Sequence, residues 1–413
     1  MFVRRFSSLL ASLLCFGLAA PSAMAAEAKT EGGIELVHSD DYWFKMNGIV
    51  KVDATLFLDG DKDRRTDFPG GANVRSVENT FNGGIGKDLS YTVVLSFESG
   101  VDVNDAYVTY SGLRNTEISV GQVISPFCLE NAKSGKWVPF LERSLGVIAL
   151  RPCLGIGVNI NNWGERYMFN LASTAPLHGS NGDAAGIMHR SDKLTNTARF
   201  VYAPYLAENQ VFHLGGSFVY AENSPTFRNG APNTDGRRFS TRPEARARNT
   251  LAIINSGNSM FVKHYEEYGA EAAVQQGPLL VQAEWLQANV HRQNNPNVRF
   301  YGWHTQAAYV LTGESRSYNM SSASFGGVKP KCRYGAWEVA ARYSMVSLND
   351  EDIHGGSEHN VAASLGWYVN NHLKIMGNYI YASIDPTRQL GANNPNPTKR
   401  HLNILGFRTQ VVW

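Results

Sequence analysis

Apolar and polar residues alternate with a period of two in several stretches of this chain. The first stretch covers residues 44–58, in which apolar Phe44, Met46, Val50, Val52, Ala54, Leu56 and Leu58 are interleaved with Lys45, Asn47, Lys51, Asp53 and Thr55. This alternation predicts a β-strand with one apolar and one polar face. Strands of soluble sheets have about 5–6 residues, so a stretch this long favours a tilted strand of a membrane barrel, apolar outside and polar inside.

The same pattern recurs to the end of the sequence, in residues 89–97, 303–311, 361–369, 373–381 and 405–413. The polar run Asn370-Asn371-His372 predicts a tight turn between two of these strands. The last strand ends on Trp413, with apolar residues two and four positions before it, which is typical of the C-terminal strand of bacterial outer-membrane barrels. No stretch after residue 26 is apolar for the roughly 18 residues that a spanning helix needs.

The predicted fold class is therefore all-β, a transmembrane antiparallel barrel. At roughly 24 residues per strand and connection, the chain provides about sixteen strands, a size at which a barrel keeps an aqueous interior, or lumen. Turn Gln276-Gly277-Pro278 is expected at the periplasmic end. Long connections are expected at residues 59–71, 125–152, 175–192, 222–248, 292–297, 348–358 and 385–401.

The N-terminus has the pattern of a secretory signal peptide. Arg4 and Arg5 precede an apolar run from Leu9 to Ala20, and Ala23-Met24-Ala25 supplies the small residues of a cleavage site. We expect a signal peptide at residues 1–25 and a barrel at residues 26–413. Removing the two leader arginines lowers Lys+Arg from 38 to 36, equal to the 36 Asp+Glu, so no nucleic-acid partner is indicated.

Three cysteines remain after cleavage: Cys128, Cys153 and Cys332. In an oxidising compartment Cys128 and Cys153 could bridge the ends of one loop, and three unpaired thiols are an equal alternative. Their spacing does not match a metal site, and no metal or other cofactor is predicted.

Positive charge is concentrated in residues 237–248, RRFSTRPEARAR, which we call the arginine segment. It contains Arg237, Arg238, Arg242, Arg246 and Arg248, with Glu244 as its only acid. An anion-selective pore needs several donors in series, and the guanidinium fork donates two hydrogen bonds to a phosphate. The alternative is a set of solvated loop charges that bind lipopolysaccharide phosphates or pair with acids.

Residues 125–152 form the second candidate, which we call the inner segment. It contains Lys133, Lys136, Arg143 and Arg151, with Trp137, Phe140 and Leu141 among them. A long loop with its own aromatics is predicted to fold into the lumen, with Lys136 and Arg143 at the constriction. An exposed loop or a trimer contact is the alternative.

The inward face of the predicted wall also carries acids. Glu271, Glu284 and Glu338 lie on it, with Arg342 four residues after Glu338, and a cross-paired network that positions the arginines is expected. No GxSxG, HExxH, Walker or CxxC motif is present, so the chain is not predicted to be an enzyme. A hydrolase using His304 and a neighbouring serine is the remaining enzymatic alternative.

Several runs resemble the phosphate-selective porin O/P family of outer-membrane proteins. They are DAYVTYSGL at 105–113, VGQVISPFCLEN at 120–131, FLERSL at 140–145, RFSTRPEA at 238–245, YGAEAAVQQGPLLVQAEW at 268–285, LTGESRSY at 311–318 and GAWEVAARYS at 335–344. The resemblance covers nearly the whole mature chain, in order.

The resemblance implies a sixteen-stranded barrel that assembles as a homotrimer, with a series of arginines leading anions to a site in each pore. It places Arg238 and Arg242 in that series and Lys136 and Arg143 at the constriction. The chain departs from the family where Arg75 is followed by Ser76 instead of a second basic residue, and where Cys128 replaces a glycine.

The resulting hypothesis is a passive, anion-selective outer-membrane channel for phosphate or polyphosphate, with arginines and lysines as serial anion sites. The membrane lipid and lipopolysaccharide are its expected surroundings. A general anion or small-solute porin is the alternative within transport, and an envelope adhesin or structural barrel is the alternative outside it.

Overall fold

A computed structural model describes residues 33–39, 41–58, 70–98, 100–152, 154–176, 192–223, 226–228, 231–233, 238–246, 252–257, 261–385 and 400–413. The predicted signal peptide, Cys153, Arg237 and Arg248 lie outside these residues. Within them, no helix has both the length and the apolar character needed to cross a membrane.

Sixteen long strands form one antiparallel sheet. They are β2 (Tyr42–Phe57), β3 (Gly71–Ile85), β4 (Leu89–Ser96), β5 (Asp102–Leu113), β6 (Thr116–Ile124), β7 (Leu154–Trp163), β8 (Tyr167–Pro176), β9 (Asp192–Ala207), β10 (Gln210–Asn223), β15 (Val262–Gln276), β16 (Leu279–Arg292), β17 (Val298–Val310), β20 (Ala336–Asp350), β21 (Ile353–Tyr368), β22 (Leu373–Asp385) and β23 (Arg400–Val412).

Short elements lie in the connections. They are β1 (Ile34–His38), β11 (Thr226–Arg228), β12 (Ala231–Asn233), β13 (Ser240–Thr241), β14 (Ile254–Asn255), β18 (Tyr318–Asn319), β19 (Ser324–Phe325), and two helices that we number α1 (Leu129–Ala132) and α2 (Leu145–Leu150).

The sheet closes into a barrel because β2 pairs with β3 on one side and with β23 on the other. Ile49 of β2 lies opposite Val412, and the Gly48 N–H donates to the carbonyl of Trp413. Strand β1 pairs with the N-terminal part of β2, on the same edge of β2 as strand β23. The predicted antiparallel barrel of about sixteen strands is confirmed.

The two faces of the wall differ as the alternation predicts. On β17, Tyr301, Trp303 and Tyr309 are exposed on the outside, whereas His304 and Gln306 are buried on the inside. An outer apolar band and a polar interior suit a strand that is surrounded by lipid on one face only.

The connections differ in length between the two ends of the barrel. At one end, which we call the short-turn end, residues 277–278 join β15 to β16 and residues 369–372 join β21 to β22. At the other, the long-connection end, residues 125–153 join β6 to β7 and residues 224–261 join β10 to β15.

One prediction about the connections was wrong, and one long connection was not predicted. A long connection was expected at residues 348–358, but β20 and β21 pair as far as Asp350 and Ile353 and only two residues join them. The polar residues there lie at the rim of the barrel, where strands no longer face an apolar medium. Conversely, residues 311–335 form a long connection at the short-turn end, which no sequence pattern had indicated.

Candidate functional site

The arginine segment is fixed to the barrel wall through its single acid. Glu244 is buried, and its Oε2 lies 2.8 Å from the Nη2 of Arg342 on β20. Its Oε1 accepts hydrogen bonds from the Leu145 N–H at 3.1 Å and from the Ser344 hydroxyl at 2.6 Å. Glu244 therefore joins the wall, helix α2 and the arginine segment.

The described part of the arginine segment also packs through apolar side chains. Phe239 is fully buried, and its ring lies 5.3 Å from that of Phe300 and 6.2 Å from that of Tyr265, centroid to centroid. Strand β13 pairs with β14, and the Ser256 hydroxyl accepts from the Phe239 N–H. The segment is thus seated on inward-facing side chains of β15 and β17.

Two predicted arginines of this segment, Arg242 and Arg246, line one pocket together with Arg143 of the inner segment. Arg75 of β3, Arg151, Glu142 and Glu244 line it as well, and we call it the arginine pocket. Five guanidinium groups face two carboxylates, which gives the lining a formal charge of +3. Arg238 is half-buried in the same segment but does not line the pocket.

Arg75 is aimed into the pocket by a β-bulge. Lys51 of β2 pairs with Ser76 and Val52 pairs with Val74, so Arg75 has no partner in the ladder. Its Nε lies 2.6 Å from Glu142 Oε1 and its Nη2 lies 3.0 Å from Oε2. Bulges redirect side chains in this way.

Electrostatics in the pocket favour an anion. Burial disfavours the charged form of Glu142, but Arg75, through its charge and its hydrogen bonds, together with the charges of Arg408 and Arg246, outweighs burial and holds the pKa of that carboxyl well below its usual value. Burial, with the nearby charges of Arg75 and Arg242, lowers the pKa of Arg246. Guanidinium groups gathered this closely repel one another, and a bound anion would relieve that repulsion.

The inner segment makes hydrogen bonds to inward-facing side chains of several strands. The Leu141 N–H donates to Asn378 of β22, and the Pro139 carbonyl accepts from Ser364 of β21. On the same side of the barrel, the Lys136 carbonyl accepts from Gln410 of β23. Across from these, the Cys128 N–H donates to Ser217 of β10. The backbone of the segment is therefore tied to opposite sides of the wall.

Helix α2 packs directly on the wall through two glycines. A Cβ on Gly302 of β17 would lie 2.8 Å from the Cα of Gly146, closer than side chains approach. Leu145, Val147, Ala149 and Leu150 are buried on this helix. The close approach is possible because neither residue has a side chain.

The two predicted site residues of the inner segment, Arg143 and Lys136, lie in different surroundings. Arg143 donates to the backbone carbonyls of Glu130 and Lys133 at 3.0 and 2.9 Å, which closes the segment on itself. Lys136 is half-buried, with its Nζ 3.5 Å from Asn47 Oδ1 of β2, and burial lowers its pKa. Lys136 therefore lies outside the arginine pocket, whereas Arg143 lines it.

Lys136 of the inner segment lies next to two inward-facing lysines of β2. Lys51 donates to the Gly135 carbonyl at 3.2 Å, and Lys45 lies two residues beyond Asn47 toward the short-turn end. Strand residues rise about 3.3 Å each, so Lys51, Lys136 and Lys45 follow Arg75 at successive levels toward the short-turn end. The inward face of β2 was predicted to be polar, but its lysines were not predicted as site residues.

The acids of the wall are paired, though not all as expected. Arg199 of β9 lies 2.6 Å from Glu271, which also contacts His213 at 3.0 Å. Glu338 pairs with Arg316 of the 311–335 connection and not with Arg342, whose partners are Glu244 and Glu130. Glu284 lies 3.6 Å from His304.

Residues 311–335 also contact the inner segment. A Cβ on Gly327 would lie 2.5 Å from the ring of Trp137, and the Trp137 carbonyl accepts from Arg316 at 3.4 Å. Phe325 and Leu129 belong to one buried apolar cluster. Sequence patterns missed these contacts because the connection lacks both alternation and a charge cluster.

Cys128 is a buried free thiol, and Cys332 is an exposed one. The backbone of Cys128 has φ 54°, in the left-handed region that favours glycine. This explains in physical terms why a glycine is expected at this position.

A closed sixteen-stranded barrel with an apolar outside, a polar inside and a cationic pocket defines the class of outer-membrane porins. Barrels of this class have short periplasmic turns and longer extracellular loops, which identifies the short-turn end as periplasmic.

The chain belongs to the Phosphate-selective porin O and P family, whose model matches residues 44–413. It is 29% identical over 389 residues to Porin O of Pseudomonas aeruginosa, covering 86% of this chain and 87% of that protein. It is therefore an outer-membrane anion channel and not an enzyme, and the hydrolase alternative is excluded.

Two solved structures share the fold. The anion-selective porin from Comamonas acidovorans has a TM-score of 0.56 at 10% identity, covering 90% of this chain and all (100%) of that one. In-vitro folded OmpT of Vibrio cholerae has a TM-score of 0.56 at 11% identity, covering 91% and 99%. At these identities the likeness concerns architecture alone.

Proposed function

We propose that this channel passes phosphate or polyphosphate passively, by exchange between successive cationic sites. The observation that carries the proposal is the arginine pocket, where Arg242 and Arg246 meet Arg75, Arg143 and Arg151 around two carboxylates. We include Arg238 of the same basic segment among the anion sites, together with its sequence neighbours Arg237 and Arg248, which lie outside the described residues.

The route that we propose continues from the pocket along β2. On the inward face of β2, Lys45, Asn47 and Lys51 are only half-buried, although Ile49, Asp53 and Thr55 between and beyond them are buried. The inward-facing side chains of β17 and β20 are covered. An anion leaving the arginines meets Lys51, then Lys136, then Lys45. In this proposal Lys136 and Arg143 flank the narrowest part, which the inner segment creates by filling the far side of the lumen.

Arginine suits the entrance and lysine suits the exit. The guanidinium fork holds a phosphate through two charge-assisted hydrogen bonds and replaces part of its hydration. Lysine presents a mobile point charge with no fixed geometry, so it releases the anion more readily. Several sites of moderate strength allow conduction, whereas one tight site would block it. The concentration gradient supplies the driving force.

Phosphate preference is supported by the family description and by bidentate geometry. Arg75 already has this bidentate geometry, since two nitrogens of its guanidinium group donate to the two carboxylate oxygens of Glu142. The carboxylate oxygens stand where two oxygens of a phosphate would accept. A general anion porin would need only the sign of the charge and no such geometry.

Planar-bilayer recording in chloride with added phosphate tests the proposal. We expect sub-millimolar phosphate to block the chloride current. Arg242→Ala and Arg246→Ala should each raise the phosphate concentration needed for block by at least about tenfold, which corresponds to a loss of about 1.4 kcal/mol in binding free energy. Arg166→Ala, in an exposed periplasmic turn, is the matched control. Block that is unchanged in both variants would leave a general anion porin, and no conductance would favour an adhesin or structural barrel.

We also propose that residues 1–25 are removed and that barrels of residues 26–413 assemble as homotrimers among lipid and lipopolysaccharide. Strands β4–β8 have 8 to 12 residues, against 13 to 16 in the rest of the barrel. Their outer face carries exposed Val108, Val120 and Ile156. A low apolar wall on one side fits contact with neighbouring barrels. Native mass determination in detergent tests the trimer.

A further inference from the structure

Two histidines and a glutamate converge on the outer surface of the barrel, away from the pore. They are His264 and Glu266 of β15 and His291 of β16, and one side-chain ligand atom from each lies within 4.8 Å of the others. Tyr265 and Glu267 are buried on the inward face, so the residues that alternate with them point outward. All three members of the cluster are partly accessible.

Strand register holds the cluster together. His264 lies directly opposite His291, and their rings stack with centroids 4.2 Å apart and an interplanar angle of 16°. The Tyr268 hydroxyl donates to Glu266 Oε2 at 2.8 Å, which leaves Oε1 for another partner. Asn297 Nδ2 lies 3.1 Å from His291 Nδ1 and steadies that ring.

The acidic surroundings extend to the next strand. Glu222 of β10 lies directly opposite His264 on the other side of β15. Side chains opposite one another on antiparallel strands have Cβ atoms about 4.5–5.5 Å apart. A second carboxylate therefore stands beside the His264 imidazole, and Glu222 and Glu266 both raise the local negative potential that attracts a cation.

The position along the wall makes the cluster accessible to water. Toward the periplasmic end, the outer faces of the same strands carry exposed Val274, Val281 and Trp285. His264 and His291 lie at the opposite ends of β15 and β16, next to the extracellular connections. The cluster thus lies at the polar margin of the apolar band, where an ion need not be stripped of water by lipid.

We propose that His264, His291 and Glu266 form a binding site for a divalent first-row transition cation such as Zn²⁺. Two imidazoles and a carboxylate are a ligand set that zinc uses when three protein groups leave one position open. Imidazole ligands favour Zn²⁺, Cu²⁺ and Ni²⁺ over Mg²⁺ and Ca²⁺, which prefer oxygen. This site is independent of the anion route, because it lies on the other face of the wall.

Titration of the purified, untagged barrel in detergent with ZnCl2 tests the proposal, in a buffer without phosphate or chelator. We expect one saturable Zn²⁺ per chain, weakened more than about tenfold in His264→Ala and in His291→Ala, since even outer-shell changes at metal sites cost tenfold to hundredfold. His401→Ala is the matched control, because His401 also stacks on a cross-strand aromatic ring, Tyr381, on the outer face.

Replacement of Zn²⁺ by Co²⁺ gives a second readout. The visible absorption of a four-coordinate Co²⁺ site should appear in the parent barrel and in His401→Ala and be lost in His264→Ala. Folding of each variant is checked by the mobility difference between heated and unheated protein. Absence of saturable binding to the folded parent, or equal binding by the two histidine variants and the parent, would overturn the proposal.

Discussion

Glu244 and Arg342 form a buried ion pair, with 2.8 Å between Oε2 and Nη2, that fixes the arginine segment to strand β20. Each side chain is at most 1% exposed. The backbone of Glu244 has φ 41°, an unusual conformation for a residue with a side chain. The pair and the strained backbone together set where Arg242 and Arg246 stand.

Glu244→Gln should therefore weaken phosphate block. Glutamine keeps an acceptor for the Leu145 N–H but leaves Glu130, 3.3 Å away, as the remaining carboxylate partner of Arg342. Breaking a buried pair outright costs about 3–5 kcal/mol, so the loss here should be smaller than that. We expect a less stable barrel and several-fold weaker block, measured by thermal unfolding in detergent and by bilayer recording. Tighter block in this variant would show that the pair does not position the arginines.

Glu142→Gln should act in the opposite direction. It raises the formal charge of the pocket lining from +3 to +4 and releases the Arg75 fork. One added charge at contact distance in water is worth about 1 kcal/mol, so phosphate should block at about fivefold lower concentration. Stability should fall by less than for Glu244→Gln, because the Arg75 side chain is 21% exposed.

A matched charge change controls for general electrostatics. Glu117→Gln removes a carboxylate from β6 near its periplasmic end, far from the pocket. Equal tightening of block by Glu117→Gln and Glu142→Gln would mean that net charge, and not the Arg75 fork, sets phosphate binding.

The barrel could be predicted from the sequence because alternation records which face of each strand meets lipid. The strands at residues 44–58, 303–311 and 361–369 show this, as does the count of about sixteen. Clustered charge also identified the arginine and inner segments. These features depend on near neighbours in the chain, which a sequence displays directly.

The pairings inside the lumen could not be predicted in the same way. Glu338 and Arg342 share a face at a spacing of four, yet each pairs with a residue from a different connection, Arg316 and Glu244. The 311–335 connection is held by its contacts to Trp137 and Arg199, which are distant in sequence. The β-bulge at Arg75 likewise depends on the register between β3 and β2.

The charge of Lys136 predicts a pH dependence of anion selectivity. Burial lowers the pKa of this lysine below its ordinary value of 10.5. As pH rises, Lys136 therefore loses its charge earlier than a solvated lysine, and the preference for anions should fall over that range. One charge contributes about 1 kcal/mol at close range in water, so the change should stay within about fivefold.

Reversal potentials in a chloride gradient between pH 7 and pH 10 measure this effect. Lys136→Arg should flatten the decline, because the guanidinium keeps its charge throughout. An identical decline in the parent and in Lys136→Arg would assign the titration to other groups.

The contact between Gly146 and Gly302 makes helix α2 sensitive to any added side chain. A Cβ on Gly146 would lie 3.1 Å from the carbonyl carbon and 3.2 Å from the Cα of Gly302, and valine would add two more methyl groups against β17. Gly146→Val should displace α2 from the wall together with the inner segment. The Leu145 N–H donates a hydrogen bond to Glu244 Oε1, so the arginine segment should shift as well.

We expect Gly146→Val to alter single-channel conductance and to weaken phosphate block severalfold while the barrel itself still forms. Overpacking costs about 1–3 kcal/mol, which the barrel wall can absorb because its strand pairing is untouched. Gly71→Val is the control, since a Cβ on Gly71 meets no atom within 4 Å. Conductance and block that match the parent in Gly146→Val would show that the inner segment does not narrow the pore, because a displaced constriction must change the current.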